Sequence, residues 1–188
     1  MQALLIVDIQ RDYFPGGANP LVGPEAAARA AQRVLTAFRT AGSPVVHVQH
    51  VWDAADATFM RPGTVGVEIH PLVTPEPGEH VIQKESPNAF LDTTLQRTLT
   101  DLGIDHLVVA GMMTSMCVDA TVRAAVDLGL AVTVLSDACA APDLEFQGEK
   151  LPGATVHAVF LAALADGYAD VVPTDQFIAA GSVAAPNA

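Results

Sequence analysis

Six short apolar runs divide the chain, and each of them is too short to form a helix. Most are continuous rather than alternating, which is typical of parallel strands buried on both faces. The predicted strands are Ala3–Val7, Pro44–Val51, His80–Gln83, Leu107–Gly111, Ala131–Leu135 and Ala169–Val172. The pattern therefore predicts a sheet in the interior of the protein.

Helical patterns lie between several of these strands. The predicted helices are Pro24–Ala41, Phe90–Leu102, Met116–Leu128 and about Ala154–Asp166. Each is followed directly by a glycine, the residue that most easily takes the left-handed conformation at a helix end. Because strands alternate with helices, we expect an α/β fold with three layers, α/β/α. An open, six-stranded parallel sheet would carry helices on both faces, joined by right-handed crossovers.

The chain has no internal repeat, and its 188 residues are enough for one substantial core. We expect a single domain over residues 1–181, followed by a short C-terminal tail of small residues over 182–188. Two longer segments interrupt the alternation: Trp52–Pro77, rich in Gly and Pro, and Cys139–Pro152, which is mixed in charge. Connections of this length in a compact domain tend to be lids or binding loops.

Composition narrows the functional classes. A hydrophobic content of 51% with 16% charged residues indicates a globular protein with extensive burial. The net charge of −12 would repel phosphate backbones and anionic lipids, so we expect no nucleic-acid or membrane partner. The N-terminal apolar run is too short and too soon acidic for a signal peptide. Two cysteines without paired spacing fit a reducing compartment, so the prediction is a cytoplasmic protein.

Three reactive side chains follow three different predicted strands. Asp8 comes directly after the first strand, Lys84 after the third, and Cys117 between the fourth strand and the next helix. Because open α/β sheets bind ligands outside the carboxyl ends of their strands, we expect these side chains to meet at one edge. An ammonium that favours thiolate and a carboxylate that accepts the thiol proton would together activate a cysteine.

Each of these residues also has an ordinary structural interpretation. A free cysteine is often simply buried, Asp8 can be a helix cap or a polar strand end, and Lys84 can be a solvated surface residue. The place of Cys117 near a helix N-terminus favours chemistry, because free N–H groups and the helix dipole stabilise a thiolate. Cys139 has no such context and is interpreted as buried packing.

The motifs around these residues resemble the isochorismatase-like cysteine hydrolase superfamily, which includes nicotinamidases and carbamoylsarcosine amidases. They span most of the chain and read Asp8-x-Gln10-x-x-x-Phe14, Lys84 with Ser86 and Ala89-Phe90, and Gly111-x-x-Thr114-x-x-Cys117-Val118. Each motif alone is weak, whereas their order and strand context together are specific. The resemblance implies the Rossmann-like fold of that superfamily.

The resemblance also implies a catalytic triad. Cys117 would be the nucleophile, Asp8 the general base and then acid, and Lys84 the cation that supports both. A cis peptide bond between Met112 and Met113 is implied as well. The backbone N–H groups of Met113 and Cys117 would form an oxyanion hole for a tetrahedral intermediate.

The sequence departs from the nicotinamidases at their metal site. These enzymes carry Asp-x-His after the second strand and two further histidines, whereas Val46–Trp52 has no aspartate there and no histidine pair follows. His47 and His50 are three apart on a strand, so they point to opposite faces and cannot readily share a metal. We therefore expect no metal and no cofactor.

The substrate would then be held by other contacts near the strand ends. The expected substrate-binding residues are Phe14, Trp52, Phe59, Arg61 and Met113. Trp52 is suited to stack on a planar substrate, and Arg61 could contact an anion if the Trp52–Pro77 segment folds over the site. His70 is interpreted as structural, and His157 as packed or interfacial.

The sequence thus predicts a metal-independent cysteine hydrolase that cleaves an amide, ureido or lactam-like C–N bond of a small molecule through a thioester. One alternative is an isochorismatase-type vinyl-ether hydrolase, in which Asp8 protonates the substrate and Cys117 is a bystander. Another is a nucleotide-binding or flavodoxin-like module, which is disfavoured because no Gly-x-Gly-x-x-Gly or Walker-type run follows a strand. The apolar, Ala-rich helices predict a homo-oligomer, a dimer or tetramer.

Overall fold

An open sheet of six parallel strands forms the centre of the computed structural model, which describes residues 1–183. Its strands are β1 (Gln2–Val7), β2 (Val45–His50), β3 (His80–Lys84), β4 (His106–Met112), β5 (Ala131–Ala140) and β8 (Asp170–Val172). They lie in the order β3-β2-β1-β4-β5-β8. The predicted α/β fold is confirmed. Residues 184–188 of the predicted tail lie outside the described residues.

Helices cover both faces of the sheet. They are α1 (Pro24–Thr40), α2 (Leu95–Asp101), α3 (Asp119–Asp127), α4 (Gly153–Gly167) and α5 (Thr174–Ala179). The side chains of Leu4 and Ile6 face a core shared with α1 and α5, whereas Leu5 and Val7 face α2, α3 and α4. This alternation along β1 explains why the strand is apolar throughout. In the described part of the chain, no helix is both long and apolar enough to span a bilayer.

Several elements differ from the prediction. The predicted helix Phe90–Leu102 begins only at Leu95, because Asp92 has a left-handed backbone with φ of 56° and residues before it form turns. The helix expected from Met116 is preceded by a π-helical turn, Thr114–Val118, that contains the cysteine. Within Cys139–Pro152 the chain forms an antiparallel hairpin of β6 (Leu144–Phe146) and β7 (Glu149–Leu151).

Gly111 allows the two central strands to approach closely at the edge where the reactive residues lie. It pairs with Val7 at the ends of β4 and β1, and its φ is 155°. A Cβ atom at this position would lie 2.2 Å from the Val7 carbonyl oxygen. Only glycine therefore fits between the strand that leads to Asp8 and the strand that leads to Cys117.

Candidate active site

Asp8, Lys84 and Cys117 meet at the carboxyl edge of the sheet. Asp8 follows β1 with a left-handed φ of 50°, Lys84 ends β3, and Cys117 lies in the turn after β4. The Lys84 Nζ atom is 2.7 Å from Asp8 Oδ2 and 3.3 Å from Cys117 Sγ. All three residues are buried, with at most 3% of their surface exposed. The structure therefore brings together the three residues that the sequence singled out.

His50 is a fourth member of this cluster that the sequence analysis did not assign to it. It ends β2, the strand between β1 and β3, and its Nδ1 atom is 3.0 Å from Lys84 Nζ. Burial and the charge of Lys84 lower the pKa of His50 to about 4. The imidazole is therefore neutral, and Nδ1 accepts a hydrogen bond from the ammonium. The sequence feature that could have indicated this role is that His50 is a polar residue at the end of an apolar strand, as Asp8 and Lys84 are.

The carboxylate, imidazole and thiol of this cluster are groups that can ligate a metal. The ligating atoms of Asp8, His50 and Cys117 lie within 4.8 Å of one another. Lys84 Nζ contacts all three groups, and its positive charge opposes a cation at the same place. On the opposite face of the strand, His47 Nε2 is 2.9 Å from Glu79 Oε2. The two histidines thus lie apart, and the absence of a metal stays a prediction.

The electrostatics of the thiol differ from the sequence-based expectation. Burial and the negative charge of Asp8 raise the pKa of Cys117 and Lys84 only partly opposes them, so the pKa is about 12. Removal from water thus outweighs the helix terminus and the nearby positive charge, which were expected to favour the thiolate. Burial also raises the pKa of Asp8, against the lowering effect of Lys84.

The turn that carries the cysteine has an unusual backbone. The Met112–Met113 peptide bond is cis. The Met113 carbonyl accepts hydrogen bonds from the N–H groups of Met116 at 3.0 Å and Val118 at 3.1 Å. It accepts none from the Cys117 N–H, which lies between them in the chain. Thr114 Oγ1 is 2.8 Å from Nδ1 of His157 on α4. Packing against α4 thus fixes the start of the turn.

A cavity of about 450 Å³ opens above the cysteine. Three of the expected substrate-binding residues, Trp52, Phe59 and Met113, line it together with Cys117. Phe14 and Arg61 do not line it. The Phe14 ring stacks on His70 at 3.8 Å between centroids, and Arg61 is exposed on the loop. The structure therefore does not place Phe14 or Arg61 with the other expected substrate contacts.

Further lining residues were not among the substrate contacts that the sequence predicted. They include Tyr13, Asn19, Glu85, Met116, Asp143 and Leu144. Of these six, only Asp143 and Leu144 lie in a predicted long loop, Cys139–Pro152. The Trp52 and Phe59 rings are perpendicular at 5.4 Å, and Tyr13 lies 6.1 Å from Phe59. One wall of the cavity is thus aromatic, and another comes from the start of the β6–β7 hairpin.

Gln10 and Asp12 fasten the long 51–79 connection to the sheet edge. The Gln10 side chain exchanges two hydrogen bonds of 2.8 Å with the backbone of His50 and donates a third, of 2.7 Å, to the Val67 carbonyl. Asp12 Oδ2 accepts a 2.6 Å bond from the Met60 N–H. These buried side chains position both His50 and the aromatic wall.

Known protein sequences are similar to this chain over most of its length. A family model described as the isochorismatase domain matches residues 2–176. An isochorismatase family protein, YddQ of Bacillus subtilis, is 47% identical over 94% of this chain and 98% of its own. A ureidoacrylate amidohydrolase, RutB of Variovorax paradoxus, is 30% identical over 72% of this chain and 67% of its own.

Solved structures agree with the sequence comparison. The crystal structure of a candidate isochorismatase hydrolase from Oleispira antarctica superposes with a TM-score of 0.92 and 49% identity, covering 95% of this chain and 96% of that one. Both the sequence and the three-dimensional fold therefore match across the elements that form the site. The chain belongs to the isochorismatase family of hydrolases.

Proposed function

We propose that this protein is a metal-independent cysteine hydrolase that cleaves the C–N bond of a small amide, ureido compound or lactam through a thioester. The observation that carries the proposal is the convergence of Cys117 Sγ, Lys84 Nζ and the Asp8 carboxylate beneath a cavity. A nucleophile, a cation and a proton acceptor are the groups that acyl transfer to sulfur requires. The amidohydrolase RutB, among the relatives, supports this reaction class.

The first step joins proton transfer to attack. Because burial keeps the resting thiol protonated, the Cys117 proton passes to Asp8 as Sγ bonds to the carbonyl carbon. The carbonyl π electrons move to oxygen, so the negative charge leaves Asp8 and appears on the oxyanion. The N–H groups of Met113 and Cys117 would donate to this oxygen. Lys84 stays beside both groups and offsets the charge as it moves.

The second step returns the proton. The tetrahedral intermediate collapses, the C–N bond breaks, and the nitrogen takes the proton from Asp8. It leaves as ammonia or an amine or, in a lactam, becomes an amine that stays attached to the acyl chain. Asp8 is then a carboxylate again and can accept a proton from a water that attacks the thioester. Hydrolysis releases the carboxylic or carbamic acid and restores the Cys117 thiol. No step requires an added cofactor.

Ammonia release from a panel of primary amides and ureido compounds, and ring opening of lactams to amino acids, test the proposal. We expect the Cys117→Ala variant to lose at least about a thousandfold in turnover while it stays folded, since nothing replaces the nucleophile. Cys139→Ala is the matched control, because Cys139 is buried without lining the cavity. Mass spectrometry of the parent enzyme after rapid acid quench should find an acyl adduct on Cys117.

The vinyl-ether alternative predicts a different result. Burial raises the pKa of Asp8, a direction that would also suit an acid that protonates a vinyl ether. In that reaction Cys117 forms no bond to the substrate. Retained turnover of isochorismate by Cys117→Ala, with no ammonia from any amide, would replace the proposed reaction with this alternative.

A further inference from the structure

We infer that the active-site cavity selects substrates that carry a positive charge on an apolar or planar body. The inference rests on the proposed function, because it names the class of amide that the site would take. Among the described residues, the only Asp, Glu, Lys or Arg side chains that line the cavity are Glu85 and Asp143, and both are acidic. They come from opposite parts of the chain, one after β3 and one before β6.

Asp143 is held in place at the edge of the cavity. Its Oδ1 atom accepts a 2.6 Å hydrogen bond from the Gly153 N–H at the start of α4. A carboxylate fixed in this way loses little further freedom when it meets a cation, so more of the attraction is kept as affinity. Glu85 directly follows the buried Lys84 and is exposed.

Basic side chains do not balance these two acids within the cavity. Lys84 is buried below and paired with Asp8 at 2.7 Å. Lys150 shares a neighbouring hollow with Asp143 but does not line the active-site cavity, and neither does the exposed Arg61. The net charge of −12 acts in the same direction. The potential at the mouth therefore attracts cations and repels anions.

The aromatic wall suits the same ligands. Phe59 contacts Trp52 edge-on and Tyr13 in a tilted geometry, and all three rings line the cavity. The negative faces of aromatic rings attract ammonium and guanidinium groups, and their area covers an apolar substrate body. A substrate with its carbonyl at Cys117 and its cation among these groups would use every part of the cavity.

Three aromatic amides of matched size test the inference: 4-(aminomethyl)benzamide, which is cationic, its neutral 4-(hydroxymethyl) analogue and its anionic 4-carboxy analogue. Trp52 is the single tryptophan of the chain, so its fluorescence reports binding in the cavity. Binding is measured on Cys117→Ala, in which no turnover interferes. We expect the cation to bind roughly tenfold more tightly than the neutral amide, and the anion more weakly than both.

Charge-neutral variants separate the contributions of the two acids. Glu85→Gln and Asp143→Asn should each reduce the preference for the cation severalfold, and the double variant should remove it. Asparagine at position 143 keeps an oxygen that can accept the Gly153 hydrogen bond. Glu145→Gln removes the same charge from β6 outside the cavity, so it is the matched control and should retain the preference. Added salt should weaken the preference of the parent.

Equal affinity for the three amides, or no fluorescence response to the cationic amide up to its solubility limit, would overturn the inference. Turnover by the intact enzyme distinguishes it from the proposed function. A preference for binding the cation without hydrolysis of any amide leaves the selectivity standing and contradicts the proposed reaction. Hydrolysis of all three amides at equal kcat/KM supports the reaction and contradicts the selectivity.

Discussion

At the scale of single residues, the buried ion pair of Asp8 and Lys84 explains how charge is tolerated at the end of the sheet. Lys84 Nζ also contacts His50 Nδ1 and the Ser86 carbonyl, each at 3.0 Å. Its charge is therefore compensated by one carboxylate and by neutral acceptors. Such a pair stabilises little by itself, but loss of one partner leaves an uncompensated buried charge.

The Lys84→Met variant should therefore lose both activity and stability. Removal of the ammonium leaves Asp8 as an isolated buried carboxylate, so we expect a loss of about 3–5 kcal/mol in the free energy of unfolding. The double variant Asp8→Asn with Lys84→Met carries no buried charge and should recover most of that stability without any activity. Urea denaturation and an amidase assay measure both effects. A single variant as stable as its parent would contradict this account of the pair.

Activity should fall on the acid side as Asp8 becomes protonated. Asp8 must be a carboxylate to accept the thiol proton, and burial raises its pKa above 3.8, with Lys84 opposing the rise. The acid limb of kcat/KM should therefore lie above the range of an ordinary aspartate. The pH profile of kcat/KM measures it. An acid limb at or below pH 3.8 would show that Asp8 is not the proton acceptor.

Sequence reasoning identified Asp8, Lys84 and Cys117 because each follows an apolar strand whose end can be recognised by its pattern. It did not identify the role of His50, since that role depends on the strand order. Only the position of β2 between β1 and β3 brings His50 to Lys84. The raised pKa of Cys117 could not be predicted from the sequence either, because it depends on how completely the folded chain excludes water from the thiol.

At the scale of elements, the cavity depends on how the 51–79 connection is fixed to the sheet. Gly66 packs against Asp12, whose carboxylate also accepts the Met60 N–H. A Cβ atom at residue 66 would lie 2.1 Å from Asp12 Oδ1, a distance that no contact tolerates. The side chain of Asp12 or the loop would have to move, and Phe59 beside Met60 would move with it.

The Gly66→Ala variant should therefore lower kcat/KM by about tenfold or more while the fold persists, because misplacement of a binding wall weakens substrate positioning. Gly167→Ala is the matched control. Residue 167 ends α4 with open space around it, so the added methyl group should leave activity unchanged. Steady-state kinetics with circular dichroism measures both variants. Full activity in Gly66→Ala would mean that this contact does not position the wall.

The elements that sequence reasoning found are those with a continuous apolar run or a helical apolar period. All six strands of the sheet and four helices were predicted, with most boundaries a few residues from the observed ones. The hairpin of β6 and β7 was missed because its strands are mostly exposed and contain charged residues, so that no apolar run marks them. Its turn at Gln147 and Gly148 has two positive φ angles. Asn-Gly and Asp-Gly are the typical sequences of such turns, and Gln-Gly is not one of them. The place of Asp143 in the cavity was missed as well, because it depends on this hairpin, which begins at the next residue.

At the scale of the whole molecule, one polar network ties three distant segments together. Arg39 on α1 donates to Glu79 before β3 with two bonds of 2.7 and 2.8 Å, and Glu79 contacts His47 of β2 at 2.9 Å. Burial raises the pKa of Glu79, but Arg39, the Glu76 backbone N–H and His47 outweigh it and lower the pKa to about 2. The network thus joins a helix, a strand and the end of the long connection.

The sign of the resulting pH dependence follows from this lowered pKa. Glu79 binds a proton less tightly in the folded state than at its ordinary pKa of 4.5. The ionised group therefore stabilises the fold above that value, and this stability is lost as the pH falls from 4.5 towards about 2. Burial also lowers the pKa of His47, so the folded state favours the neutral imidazole. The fold therefore loses stability as the pH falls below the ordinary histidine range.

The Glu79→Gln variant should lower the melting temperature at neutral pH by roughly 3 °C, because it removes a partly exposed ion pair worth about 1 kcal/mol. The difference from the parent should shrink as the pH falls from 4.5 towards 2, because unfolding of the parent then becomes coupled to protonation of Glu79. Calorimetric melting across this pH range measures the difference. Glu149→Gln, on the exposed β7 strand, removes a carboxylate outside this network and should melt like the parent. A difference that stays constant down to pH 2 would mean that the stabilising contribution of Glu79 does not depend on its ionisation.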